Sequence, residues 1–288
     1  MQMTLKLTTL AGAVALALGA GQASASITLT DTGNSEVVFS VWDTARNVGY
    51  TRDLGILQNT LTTAGTATQS GVIENTGNVS MQYSADALLL QFLADSTANG
   101  SLGSVLWNVA GGDSTGLSAG NRRIITTALG TVTESQIELL ATAQMSNMLG
   151  NLNTYISNVN SGTTGTHQAQ ANGSNIETVG DGLGNDLAYA GGPLWSTAFG
   201  NLANFVNAAG LGQGLNFWSL SNGATGIAKV AATQFFGQGG ALAQWTLAND
   251  GTLTFAAVPE AETWALLGLG LIGVGALARR RGRALQAA

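Results

Sequence analysis

The run Glu36-Val37-Val38-Phe39-Ser40-Val41-Trp42-Asp43 is dominated by β-branched and aromatic residues. Its alternation puts Val37, Phe39 and Val41 on one face and Val38, Ser40 and Trp42 on the other, the two-residue period of a strand. Outward from it, Ser104 to Val109 places Val105, Trp107 and Val109 on one face, and Arg123 to Thr127 is short and β-branched, so both are predicted strands. Near the C-terminal end, Ala243, Trp245 and Leu247 precede Asn249-Asp250-Gly251, and Leu253 and Phe255 follow it. Such a turn needs positive φ, which glycine tolerates, so this stretch predicts a hairpin.

Helical periods interrupt the strands. Thr133 and Gln136 have the spacing of a capping box, and Ile137, Ala141, Met145, Met148, Leu152, Tyr155 and Val159 follow at helical intervals, with Gly150 as a weak point. A second helix is predicted from Pro193 through Trp195, Phe199, Leu202, Phe205, Val206 and Ala209, stopping at Gly210. A third, largely buried helix is expected from Ala85 to Asp95. Residues 160–192, rich in Gly, Asn, Ser and Thr, read as a long surface loop. The expected fold is α+β: a mainly antiparallel, sandwich-like β body with about three packed helices, forming one domain over residues 26–257.

Charged residues make up only 9% of the 288 positions, and glycine contributes 40. A charge-rich disordered chain is thereby excluded, and a neutral polar surface suits an exported protein. Absence of cysteine removes disulfides and thiolate chemistry, and one histidine leaves little for imidazole chemistry. Between residues 26 and 257 there are 14 acids against five bases, Arg46, Arg52, Arg122, Arg123 and Lys229. Such a body repels phosphate backbones, so no nucleic-acid partner is expected.

The two ends read as addresses. Lys6, an apolar run from Leu7 to Ala20, and the small-residue site Ala23-Ser24-Ala25 follow the order of a secretory signal peptide, predicted over residues 1–25 and cut after Ala25. Its partners would be the Sec translocon and signal peptidase. At the other end, Trp264 to Ala278 is uncharged and is followed by Arg279, Arg280, Arg281 and Arg283. As a helix it would be roughly 22 Å long, enough for a marginal transmembrane span when the flanking arginines snorkel. The arginines should stay cytoplasmic, leaving the body on the far side.

Immediately before that run stands Val258-Pro259-Glu260-Ala261-Glu262-Thr263-Trp264. The motif at 258–263, the apolar segment at 264–278 and the arginine cluster at 279–283 together resemble the PEP-CTERM sorting signal of Gram-negative bacteria. Pro259 and Glu260 match the first two motif residues, and Thr263-Trp264-Ala265 matches the usual start of the helix. Ala261 departs, standing where that family usually has a second proline. The resemblance implies recognition and cutting by an integral-membrane exosortase and release to the cell surface or an exopolysaccharide matrix, as in a biofilm. Phe39-Ser-Val-Trp-Asp43, Tyr50-Thr-Arg-Asp-Leu-Gly55 and the terminal hairpin are also similar to passengers found with this signal, which have no assigned activity.

Chemistry-bearing patterns are sparse. His167 has no second histidine beside it, and no Gly-x-Ser-x-Gly elbow occurs, so neither a zinc site nor a Ser-His-Asp triad is expected. Asp181, Asn185 and Asp186 in Gly-Asp-Gly-Leu-Gly-Asn-Asp offer hard oxygen ligands, a candidate calcium loop without EF-hand spacing. Gly210-Leu-Gly-Gln-Gly214 reads as a helix C-cap rather than a dinucleotide loop. Asp43 and Asp53 flank Arg46 and Arg52 in an expected hairpin, where local ion pairing is the anticipated role. Trp42, Trp107, Trp195, Trp218 and Trp245 read mostly as core, with a sugar-stacking platform as the alternative.

The function these features favour is that of an exported, non-catalytic surface or exopolysaccharide-matrix protein without a cofactor. A carbohydrate-binding adhesin, calcium-assisted or not, is the alternative, and a secreted glycoside hydrolase a further one, since that chemistry needs only two placed carboxylates.

Overall fold

In the computed structural model, which describes residues 26–61, 81–162, 172–180, 186–236 and 242–258, Glu36–Asp43 is an interior strand (β1) of an antiparallel sheet. It pairs with β2 (Val48–Leu57) on one side and β4 (Val105–Asp113) on the other. Val37, Phe39 and Val41 enter one buried cluster, Val38 and Trp42 enter a second, and both faces of β1 are covered. The remaining strands are β3 (Met81–Tyr83), β5 (Arg123–Leu129), β6 (Ser174–Thr178), β7 (Ala209–Gly210), β8 (Gly214–Ser221), β9 (Ala231–Gln234), β10 (Leu242–Leu247) and β11 (Leu253–Val258). Their order is β3-β11-β10-β8-β5-β4-β1-β2-β6, with β7 on β4 and β9 on β8.

This corrects the sandwich expected from the sequence. The strands form one sheet curved into a half-barrel rather than two stacked sheets. Both faces of its central strands are buried because helices and turns cover the outside while the curved sheet encloses the inside. The inner cluster collects Phe39, Trp107, Phe217, Phe235, Trp245 and Phe255, and burial of each such side chain contributes roughly 1.5–3 kcal/mol.

Among the described residues, four α-helices accompany the sheet: α1 (Gln58–Leu61), α2 (Ala87–Ala98), α3 (Glu134–Ile137) and α4 (Thr142–Ser161). Helix α2 is the predicted third helix. The Asp86 carboxylate caps it by accepting from the Leu89 amide at 2.9 Å. It buries one face only, Leu89, Phe92 and Leu93, and leaves Leu90 exposed. That face fills the inside of the half-barrel: α2 packs on β2 and β6 at one border of the sheet, and on the β10–β11 turn at the other.

The capping box at Thr133 and Gln136 is present, but the helix it starts is one turn long. The chain then extends, Ala141 bridges Lys229, and α4 begins anew at Thr142. The single helix expected over 133–159 is therefore two, because the 228–230 backbone ahead of β9 pairs with residues 140–142 between them. Gly150 lies in the uninterrupted interior of α4.

The helix expected from Pro193 to Ala209 is absent; the segment is a chain of turns ending in β7. Ser196, Phe199, Gly200 and Asn201 all have positive φ, which a right-handed helix excludes. Its apolar residues satisfy the outer core in another way: Trp195, Phe199 and Phe205 are buried against α4. With no helix before it, Gly210 to Gly214 is the turn from β7 to β8, with Gly212 at φ 74°, and not a C-cap. Within the expected loop 160–192, the described part contains the border strand β6, paired to β2.

Candidate functional site

The β10–β11 hairpin carries the chain to the predicted sorting residues. Its register runs from Leu247↔Leu253 at the turn to Leu242↔Val258 at the far end. In the turn, Gly251 adopts φ 81° and donates to the Ala248 carbonyl at 3.0 Å, and the Ala248 amide donates to Thr252 O at 2.9 Å. The Asp250 carboxylate accepts from the Thr252 amide at 2.9 Å, which holds its pKa below the usual carboxylate value. Trp245 and Phe255 face each other across the ladder with ring centroids 4.8 Å apart, anchoring both strands in the inner core.

β3 pairs with Leu253 to Phe255, and among the described residues Ala256 to Val258 pair with β10 alone. Pro259 comes next. It has no N–H to give the ladder, so it is suited to end the strand. The folded body and the motif thus join without a linker.

Of the predicted sorting residues, Val258 is the last residue of β11. Pro259, Glu260, Thr263, Trp264, Arg279, Arg280, Arg281 and Arg283 lie outside the described residues, as do Ala23 and Ala25 of the predicted signal-peptidase site. His167, Asp181 and Asn185 also lie outside them. Asp186 is described: its carboxylate accepts from the Gly180 amide at 3.0 Å and its carbonyl from the Tyr189 amide at 3.3 Å, both turn-closing bonds. Among the described residues no three His, Asp or Glu side chains converge as a metal site would require.

The predicted ion pairing of Asp43 and Asp53 with Arg46 and Arg52 is not what forms. Asp43 is fully buried, and its carboxylate accepts from the hydroxyls of Ser96 (2.8 Å) and Ser101 and from the amides of Ala45 (3.0 Å) and Arg46 (3.2 Å). Burial pushes its pKa up, but the serine hydroxyls and the two amides outweigh that, leaving it below its ordinary value. Arg46 instead reaches Asp95 at 3.7 Å. Asp53 is buried and accepts from the Gly55 amide at 2.7 Å; burial dominates and raises its pKa to about 6, with the negative charge of Glu36 adding to the rise. The Arg52 guanidinium donates to the Ser84 carbonyl. Hydrogen bonds replace ion pairs here because the β1–β2 hairpin brings backbone amides closer to the carboxylates than the flexible arginine heads.

A third carboxylate, Asp86, accepts from the Tyr50 hydroxyl at 2.9 Å while it caps α2. Tyr50 is pushed well above the ordinary tyrosine value, by burial first and then by the charge of Asp86. Asp86 as a cap was legible, three residues before Leu89 on an apolar run. The partnership of Asp43 with Ser96 and Ser101 spans more than fifty positions and left no local signal. Asp43 and Asp86 each tie separate elements together, whereas the Asp53 carboxylate bonds within β2. Trp42, Trp107, Trp195, Trp218 and Trp245 are all buried, so they pack the core and present no stacking platform.

Comparison with known families identifies one region. The PEP-CTERM protein-sorting motif matches residues 257–281, beginning inside β11 at Ala257. No curated protein and no solved structure matches the chain.

Proposed function

We propose that this chain, which carries a PEP-CTERM sorting motif and is therefore an exported protein sorted by an exosortase through a membrane-tethered precursor, is a non-catalytic component of the cell surface or of an exopolysaccharide matrix. The observation that carries the reading is the direct junction of β11 with the motif at Ala257–Val258. A body whose last strand ends in the signal is tethered to the membrane through that signal, and a cut after the motif's first residues leaves its hairpin intact.

Burial of all five body tryptophans favours this reading over a carbohydrate-binding adhesin, which would display aromatic rings for sugar stacking. The carboxylates of Asp43, Asp53 and Asp86 are occupied by amides and hydroxyls of the fold, which weighs against their use as an acid–base pair in a glycoside hydrolase.

The test is the mass of the mature C-terminus in cells with and without exosortase. A released product ending near Pro259, seen only with the exosortase, supports the proposal. Retention of Arg281 in both strains overturns it in favour of a permanent anchor.

A further inference from the structure

Two loops meet at one end of the sheet. Residues 114–122 join β4 to β5 and residues 222–230 join β8 to β9. They are hydrogen-bonded to each other: Gly120 N donates to Asn222 O at 2.9 Å, Asn222 N to Arg122 O at 3.2 Å, and the Asn222 side-chain amide to Ser118 O at 3.1 Å. The second loop is also tied to the start of α4, through Thr142 N to Ala228 O at 2.8 Å and Ala143 N to Gly226 O at 2.9 Å. These bonds make a built platform rather than two independent tips.

On this platform stand the two most exposed large apolar side chains among the described residues, Leu117 at 80% and Ile227 at 89%. Leu139, 62% exposed, adjoins the second loop, its carbonyl accepting from Lys229 Nζ. A single exposed leucine is ordinary; exposed residues clustered on bonded loops are not. Neither loop contains an acidic residue, although acids outnumber bases in the body. Arg122 and Lys229 lie within the loops, and neither makes an ion pair with a carboxylate among the described residues.

Strand direction relates this platform to the sorting segment. β10 is antiparallel to both β8 and β11, so β11 runs the same way as β8, towards the 222–230 loop. By the register, Val258 stops about three residues, roughly 10 Å, short of the level of Ser221. The five residues between Val258 and Trp264 can reach at most ~17 Å. That reach exceeds the remaining distance from Val258 to the level of the platform.

We propose that this end of the sheet rests on the bilayer that holds the C-terminal segment. Leu117 and Ile227 enter the boundary between headgroups and acyl chains, and Arg122 and Lys229 face anionic lipid headgroups. The inference rests on the membrane-tethered precursor and adds to it an orientation: the body lies on the membrane by this end before release. Partial insertion of a few apolar side chains, with cations beside them, is the arrangement by which peripheral surfaces hold to lipid.

Because the chain contains no cysteine, single labelling sites can be introduced without competition. The full-length chain would be reconstituted in phosphatidylcholine vesicles, with and without phosphatidylglycerol. Each variant carries one polarity-sensitive fluorophore at Leu117→Cys, Ile227→Cys, Asn249→Cys at the opposite end of the sheet, or Leu271→Cys in the apolar segment. Nitroxide-bearing lipids serve as quenchers. The expected result is a blue shift and several-fold stronger quenching at 117 and 227 than at 249, increasing with phosphatidylglycerol. If 271 is quenched while 117 and 227 behave as 249 does, the orientation is wrong and the tether stands. If 271 is not quenched either, the tether and the orientation fail together. Equal quenching at 117 and 227 with and without phosphatidylglycerol overturns the headgroup contact of Arg122 and Lys229.

Discussion

The phenol ring of Tyr155 lies flat on the indole of Trp195, with ring centroids 5.1 Å apart and planes 2° from parallel. The Tyr155 hydroxyl bonds to Ser40 at 3.1 Å and to Thr51, and Trp195 Nε1 donates to Asn108 Oδ1 at 2.9 Å. One stacked pair thus connects α4 and the turns after Pro193 to β1, β2 and β4. Removing the hydroxyl with Tyr155→Phe keeps the stack but leaves Ser40 and Thr51 short of a partner inside the protein, with an expected loss of about 1–3 kcal/mol. Trp195→Ala should lose about 3–5 kcal/mol, since it opens a cavity as well. Urea titrations of the full-length chain in detergent measure both. A loss as large for Tyr155→Phe as for Trp195→Ala would place the stability in the hydroxyl network and not in the stack.

The position of Asp53 predicts a pH dependence. Its folded-state pKa of about 6 lies above the ordinary 3.8 because burial disfavours the carboxylate. Between those values the folded state holds a proton that the unfolded state has lost, so stability falls as pH rises from about 4 to about 6. A two-unit shift corresponds to about 3 kcal/mol at most. Asp53→Asn, which keeps an oxygen for the Gly55 amide, should raise stability at pH 7 and flatten the profile in this window. Thermal melts at pH 4.5 and pH 7 compare the two proteins, and an unchanged slope in the variant would assign the dependence elsewhere.

Asp43 should behave oppositely. Its pKa lies below 3.8, so its contribution is present above that value and is lost as pH falls through the lowered folded value. Asp43→Asn puts an amide where hydroxyl and amide donors converge and should be destabilising at pH 7 by more than a surface substitution. Acid titration followed by circular dichroism should show the native protein losing structure below pH 4 and the variant less stable already at neutrality.

Two glycines test the departures from helical periodicity in opposite directions. Gly150 is an exposed position inside α4 with nothing within 4 Å of an added Cβ, so Gly150→Ala should stabilise by about 0.5–1 kcal/mol. At Gly200, φ is 67° and a Cβ would lie 2.1 Å from the Pro193 carbonyl oxygen, so Gly200→Ala should destabilise. A stabilising result at Gly200 would mean that residues 193–209 take the helix their spacing suggests.

What was legible in the sequence follows the range over which each structure is determined. β1, β4, β5, the terminal hairpin and α2 are set by local alternation, a cap or a turn triplet, and all were readable. The turns after Pro193 were not, because Trp195, packed on Tyr155, and Phe199, packed on Trp195, are buried from irregular backbone at the same spacing a helix would use. Long-range pairing was equally invisible: alternation in β1 says that it is a strand, not that both its faces are covered. The sorting motif was readable because its recognition depends on contiguous residues, whereas the platform of Leu117 and Ile227 required the strand directions.

The departure at Ala261 provides a test on the motif itself. A proline there would restrict Glu260 to extended backbone and fix φ at position 261, presenting the segment after β11 as a straight strand-like stretch. An enzyme that binds its substrate extended would then pay less ordering entropy. Ala261→Pro should therefore increase the fraction of released protein in cells containing exosortase, and Glu260→Ala should reduce it. Quantifying the tethered precursor and the released product by C-terminal mass decides the matter. Equal release from all three proteins would mean that the extended conformation at 259–261 does not control processing and that the apolar segment with its arginine cluster is the element recognised.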